Sequence, residues 1–366
     1  MTVDRDLLDA LRATARRFAE REVVPMVGTE LRDGDLAQVP ALLAKAASIG
    51  LLAAPGFDVG ESGIGIWAAS GGADGDEVSA ALLEEVAVEC AGFAACLHHA
   101  GLAQAELGGA GEGAWPTGAV GLFDRGWRAG WQAFLHPPVG AVRLCAGRLS
   151  GAVGPVPSAP GTAAFVIYAA GPEGWQRALV MRDAAGLVCA DAGPRTGLAA
   201  LDMVGLGFPG AGVAISRQLH PRPPVEYVRR LCLGLAAIAL GNARGGLRAS
   251  QRYAEERHQG GSAIGRYATV RLLIGESRAR LAAASAHLAA AAAPGPAAAW
   301  RAVAARLQVP TQCLRAVSAC LQVLGGYGYI EDYRLEKRLR DAMTLAGSGI
   351  DANALRLMCA EPPEIG

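Results

Sequence analysis

The chain has 366 residues, 52% of them hydrophobic and 19% charged, which excludes intrinsic disorder and leaves material for two or three packed units. Lysine plus arginine and aspartate plus glutamate each total 34, so no global basic field marks a nucleic-acid partner. Aromatic residues make up only 5%, so Ala, Leu and Val must build the core, a composition that favours closely packed helices.

From Asp6 to about Gly109 the apolar residues follow a helical period. Leu7, Leu8, Leu11, Ala15 and Phe18 recur at spacings of three and four, and Leu42, Leu43, Ala46 and Leu51 do the same before Pro55. Asp58 to Gly75, rich in Gly and Ser, reads as a loop. A further helix is expected over Val78 to Ala95, breaking before His98.

From about Gly118 to Pro224 that period disappears. Ala164 to Tyr168, Ala178 to Met181 and Gly186 to Val188 are short apolar runs separated by Gly, Pro and Asp, the pattern of strands in a small β-barrel or sandwich. No glycine-rich dinucleotide fingerprint opens a helix after a strand, so a Rossmann site is not supported.

From Val225 onward the chain is helical again, with four long helices expected. Tyr267, Val270, Ile274, Ser277, Leu281, Ala284 and Leu288 trace a bundle seam, and Pro294-Gly295-Pro296 turns the chain back. Gly234, Gly241 and Gly245 share a stripe on the preceding helix. Each costs about 1 kcal/mol relative to Ala, which close helix packing along that stripe would justify.

The expected architecture is therefore α+β and multidomain: an N-terminal helical domain (1–117), a middle β-barrel or sandwich domain (118–223) and a C-terminal four-helix bundle (224–366). The eight cysteines include no C-x-x-C pair and read as buried thiols rather than disulfides or zinc ligands. The first residues are charged and lack an apolar signal core, and the apolar stretch Leu231 to Leu240 falls short of the about 20 residues a membrane span needs. A soluble, cytoplasmic protein is expected.

The most specific string runs from Leu321 through Gln322, Gly325, Gly326, Gly328 and Tyr329 to Tyr333, followed by Glu336-Lys337 and Arg340-Asp341-Ala342. It resembles the Q-x-x-G-G-x-G-Y-x-x-x-Y-x-x-E-(K/R)-x-x-R-D-A segment of acyl-CoA dehydrogenases. Weaker likenesses to the same family extend over most of the chain: Gly50-Leu51-Leu52 with Pro55, Glu84-Glu85-Val86-Ala87, Arg182 to Leu187, and Gly197 to Leu206. The resemblance implies FAD held between the β-domain and the bundle, an acyl-CoA thioester as substrate, a role in fatty-acid metabolism and a homo- or hetero-oligomer. It assigns cofactor contacts to Arg257, Gln322, Gly325 and Gly326. Chemically, a glycine pair admits a pyrophosphate close to backbone N–H groups, and an arginine matches its charge.

The sequence also departs from that family. Where a catalytic Glu usually follows R-D-A, a gapless count reaches Gly349, with Asp351 the nearest carboxylate. The alternative base position falls at Leu231, and the substrate-side Arg of many members falls at Cys232, beside Arg229 and Arg230. The flavin-stacking W-I-T-N is replaced by Pro155-Val156-Pro157-Ser158, and Leu122 to Trp127 stands in place of T-E-P-x-A-G-S-D. No catalytic residue is assigned. The expectation is an FAD-dependent α,β-dehydrogenase subunit whose base comes from a second chain of the family. The alternatives are a non-catalytic subunit of the same fold and a flavin monooxygenase on this scaffold. The electron acceptor is left open.

Overall fold

The computed structural model describes residues 4–27, 36–53, 65–67, 75–107, 119–121 and 130–361. In the N-terminal part, α1 (Arg5–Phe18) buries Ala15 and Phe18, and α2 (Val39–Ser48) buries Leu42, Leu43 and Ala46. Two further helices, α3 (Gly75–Glu89) and α4 (Ala91–Leu107), are nearly buried all round, so their apolar residues show little helical period. The break therefore falls at Cys90 rather than before His98, which sits mid-helix. Within the expected loop, Ile66 and Trp67 are fully buried. Trp67 donates its backbone N–H to Ser79 Oγ at 2.9 Å and its indole N–H to His98 Nδ1 at 2.9 Å.

The middle part is one eight-stranded, mostly antiparallel sheet: β1 (Ala119–Gly121), β2 (Arg143–Cys145), β3 (Arg148–Ser158), β4 (Ala164–Gly171), β5 (Gly174–Met181), β6 (Val188–Asp191), β7 (Asp202–Ala214) and β8 (Arg217–Leu219). Strands run in the order β6-β7-β3-β2-β4-β5-β8, with β1 parallel to β4. Alternation on β4 explains its continuous apolar run. Phe165 and Ile167 enter the sheet's own core, while Val166 and Tyr168 face the core shared with the helices.

The C-terminal part contains α5 (Val225–Glu256), α6 (Ala268–Ala292), α7 (Ala298–Val323), α8 (Leu335–Gly347) and α9 (Ala352–Ala360). Three of these helices are long; the fourth of the expected set is shortened to 13 residues, because the chain leaves α7 through two 3-10 turns at Gly325–Tyr329 and Glu331–Tyr333. The turn at the Pro-Gly-Pro segment falls as expected, between Ala292 and Ala298. Central α5 packs against α3, α4, α6, α7 and α8. Its glycine stripe has the physical role anticipated: a Cβ on Gly234 would strike His98, on Gly241 the Glu84 carbonyl, and on Gly245 the Val88 carbonyl and Arg338.

Among the described residues there is no disulfide and no His/Cys/Asp/Glu group arranged for a metal. Five cysteines are buried, as expected, but Cys145 and Cys189 lie exposed on β2 and β6. No described helix is long and apolar enough to cross a membrane.

Candidate functional site

Two cavities gather the residues singled out from the sequence. The first, of about 650 Å³, lies on the bundle and is lined by Arg257, Gln322, Gly325 and Gly326 together with Tyr253, Tyr267 and Tyr327. Arg257 ends α5 and leads into a hairpin, His258–Gln259 against Ser262–Ala263. Its turn residues, Gly260 and Gly261, have φ of 62° and 89°, the left-handed pair that a two-residue hairpin demands. Tyr267 fixes the hairpin by donating its hydroxyl to the carbonyls of Gln259 at 2.7 Å and Gly260 at 2.9 Å. The Arg257 guanidinium stacks 5.2 Å from the Tyr327 ring centre and has no carboxylate partner among the described residues. A Cβ on Gly325 or Gly326 would meet nothing within 4 Å, so the glycine pair forms an open shelf. An unpaired cation, an exposed amide and an open glycine shelf form a donor set that suits a diphosphate.

The second cavity, of about 580 Å³, lies where the sheet, α4 and the bundle meet. Leu231, Gly349, Asp351 and Pro155 to Pro157, which are far apart in sequence, all line it. Its walls are mainly apolar; Leu198, Leu201, Met203 and Leu235 contribute, with Arg195, Thr344 and Ser348 among the polar groups. Arg195 Nε and Ser348 Oγ are buried without a hydrogen-bond partner among the described residues. Cys232 is buried in the core beside this cavity rather than lining it, and Arg229 is committed to Asp76 and Glu226. Arg230 pairs with Glu226 at 2.9 Å. Leu122 to Trp127 lie outside the described residues.

The walls of this junction cavity are held by residues of the Gln322–Ala342 string and by Arg306, a role that sequence spacing did not reveal. Asp341, 1% exposed, accepts from Leu198 N–H at 2.7 Å and from Lys337 Nζ at 2.6 Å, fastening the sheet segment to α8. Arg340 donates to the Thr196 carbonyl at 2.9 Å, and a Cβ on Gly197 would strike the Arg340 carbonyl. Buried Arg306 donates to the carbonyls of Leu345 and Ser348, closing the C-terminal end of α8. Burial pulls Arg306 below the ordinary arginine value, while the helix-end carbonyls supply acceptors for its N–H groups.

Neither base position carries a carboxylate. Leu231 is an apolar wall. Gly349 has φ of 78°, and a Cβ there would come within 2.8 Å of Leu235 Cδ1, so the backbone itself is shaped for glycine. Asp351, the one carboxylate among the described lining residues, is the N-cap of α9: its Oδ1 accepts from Asn353 N–H at 2.8 Å and Ala354 N–H at 3.2 Å. The Glu84-Glu85 pair is likewise structural. Glu85 holds Arg12 and Arg16 of α1, and Glu84 holds Arg244 of α5.

Sequence comparison places residues 228–357 in the acyl-CoA dehydrogenase C-terminal domain. No curated protein matches the sequence. Among solved structures, butyryl-CoA dehydrogenase from Megasphaera elsdenii superposes with a TM-score of 0.78 at 19% identity, over 98% of each chain. Glutaryl-CoA dehydrogenase from Mycobacterium smegmatis in complex with FADH2 gives 0.79 at 15% identity, covering 98% of this chain and 94% of that one. The prolyl acyl carrier protein oxidase AnaB gives 0.77 at 18% identity, covering 98% and 99%. At such identities the superpositions establish the shared fold, and the domain match falls on the bundle that carries the string. The C-terminal bundle thus matches the acyl-CoA dehydrogenase C-terminal domain, and the chain shares the fold of acyl-CoA dehydrogenases along nearly its whole length.

Proposed function

We propose that the protein is an FAD-dependent oxidoreductase acting on an acyl thioester, working as one subunit of an oligomer with a second chain of its family. The observation that carries this reading is the convergence of Arg257, Gln322, Gly325 and Gly326 on one open cavity, where Arg257 has no carboxylate partner among the described residues. In this reading they hold the pyrophosphate and adenosine side of a neighbouring subunit's FAD. The junction cavity takes the flavin ring and the acyl group: its walls are apolar, and Arg195 Nε and Ser348 Oγ offer unmet hydrogen-bonding capacity to a polar ring edge. FAD, when bound, supplies the two-electron oxidation that no side chain can perform. A cytoplasmic location belongs to the same reading.

The proton is the weak point of this chain acting alone. A positioned base contributes roughly 10²–10⁴-fold, and here Gly349 and Leu231 supply none while Asp351 is engaged as a cap. A base-bearing partner chain completes the reaction. Titration of the purified chain with FAD, followed by dye reduction with a panel of acyl-CoAs in the presence and absence of a family member that retains the glutamate, tests the proposal. Turnover only in the mixture is the expected result; failure of FAD to bind in either condition overturns it. The same missing carboxylates favour a second reading, a non-catalytic subunit. Stoichiometric FAD with no dye reduction in any mixture would establish that one.

A further inference from the structure

The junction cavity contains a buried imidazole that neither cofactor binding nor capping occupies. His99 lies on α4, is 4% exposed and lines the cavity. Its neighbour His98 points away, accepting the Trp67 indole N–H, and the two rings lie 5.1 Å apart. No hydrogen-bond partner for either His99 nitrogen exists among the described residues. Burial pushes its pKa down to about 4, so at neutral pH the ring is uncharged, with one nitrogen donating and the other accepting.

The other polar groups on this wall are already engaged or of different character. Thr344 donates to the Arg340 carbonyl at 3.0 Å, Asp351 caps α9, and Arg195 is a cation that only donates. Around them Leu198, Leu201, Leu231 and Leu235 offer no polar contact. A polar group cut off from water without a partner carries a penalty of about 1–3 kcal/mol, which a purely alkyl ligand filling the cavity would impose on His99 and a ligand that hydrogen-bonds to it would avoid. The same burial that keeps the imidazole neutral makes it a poor proton acceptor, so recognition rather than proton abstraction is the chemistry it suits.

We propose that His99 selects acyl groups bearing a hydrogen-bonding substituent, such as a hydroxyl, over plain alkyl groups of the same length. This rests on the acyl-thioester reading and names its substrate class. The test is calorimetric titration of the purified chain with hexanoyl-CoA and with its 4-, 5- and 6-hydroxy derivatives, for wild type, His99→Phe and His99→Gln. The best hydroxy derivative should bind wild type roughly tenfold more tightly than hexanoyl-CoA, His99→Phe should lose or reverse that preference, and His99→Gln should retain part of it. Should His99→Phe not fold, the ring ¹⁵N shifts of His99 in wild type, assigned by their loss in His99→Gln, should move with the hydroxy ligand and not with hexanoyl-CoA. Equal binding of the plain and hydroxylated ligands by wild type, or the same preference in His99→Phe, overturns the proposal while leaving the thioester reading intact. If no acyl-CoA binds any of the proteins, both fall together.

Discussion

The bundle cavity and the junction cavity differ in how they are built. The first is assembled from two short stretches of chain, Tyr253 to Val270 and Gln322 to Tyr327, both near the ends of bundle helices. The second draws its walls from α4, β3, the segment before β7, α5 and the loop after α8, and exists only if three parts of the molecule dock correctly. A locally encoded site can keep its motif while its neighbours drift. A site made by docking depends on the clamps between its walls, and its inner surface is free to change chemistry so long as those clamps hold. That difference fits a chain in which the string from Gln322 to Ala342 keeps the family's pattern while residues lining the junction cavity, Pro155 to Pro157 and Gly349, depart from it.

Breaking a clamp should therefore have the largest effect. Glu106, at the end of α4, is buried and accepts from Tyr168 Oη at 2.7 Å, Arg177 Nη1 at 2.7 Å and Arg222 Nη2 at 2.8 Å. Burial, with Glu106 beside it, pushes the Tyr168 hydroxyl well above its ordinary range, so it stays protonated as a donor. Glu106→Ala leaves a 6% exposed Arg177 side chain without its counter-charge and should destabilise the protein by about 3–5 kcal/mol. Thermal unfolding followed by circular dichroism would show it, with hexanoyl-CoA affinity falling further than affinity for ADP. A loss under 1 kcal/mol, or equal losses for both ligands, would show that the two cavities do not differ in their dependence on docking.

The same difference explains what could be read from the sequence. The division into helices, sheet and bundle follows from hydrophobic period, and the string from Gln322 to Ala342 led to the bundle cavity because its parts are close in sequence. Arg257 needed the family resemblance, since an arginine at a helix end is unremarkable by itself. The roles of Asp341, Arg306 and Glu106 depend on partners as far as 143, 42 and 116 residues away, separations that no periodicity reports. The helix break expected before His98 falls at Cys90 instead, because α3 and α4, buried all round, lack the amphipathic stripe from which boundaries are read. The Gly260-Gly261 pair forms the turn of a hairpin that closes the bundle cavity's edge.

Two helix glycines offer a finer comparison between docked and free surface. Gly245 on α5 faces the Val88 carbonyl and Arg338, whereas Gly275 on α6 faces open space. Gly245→Ala should cost about 1–3 kcal/mol by overpacking a backbone that cannot move aside. Gly275→Ala should instead stabilise by about 0.5–1 kcal/mol through helix propensity alone. Opposite signs in denaturant midpoints check the pair; the same sign for both would mean that the close approach on α5 does not constrain the fold. On the bundle cavity, Arg257→Gln removes the unpaired cation and should weaken ADP or FAD binding roughly tenfold while leaving the melting temperature unchanged. Unaltered nucleotide affinity would remove Arg257 from the cofactor site.

The smallest expected effect decides the most about chemistry. Asp351 is the only carboxylate among the described residues lining the junction cavity, and it lies two positions beyond the place where the family's base falls. If it were the base, Asp351→Asn would abolish turnover, because an amide cannot accept the proton. The geometry assigns it a different task, since its Oδ1 is engaged by two N–H groups in the first turn of α9. Asparagine caps helices about as well as aspartate, so Asp351→Asn should change stability by only a few tenths of a kcal/mol, whereas Asp351→Ala should cost about 1 kcal/mol. In the mixture with a base-bearing partner chain, acyl-CoA-driven dye reduction by Asp351→Asn should match wild type within about twofold. Loss of turnover in Asp351→Asn at unchanged stability would identify Asp351 as the base and make the partner's carboxylate unnecessary. Retained turnover in Asp351→Asn, together with a lower melting temperature in Asp351→Ala, would fix its role as a cap and leave the proton to the second chain.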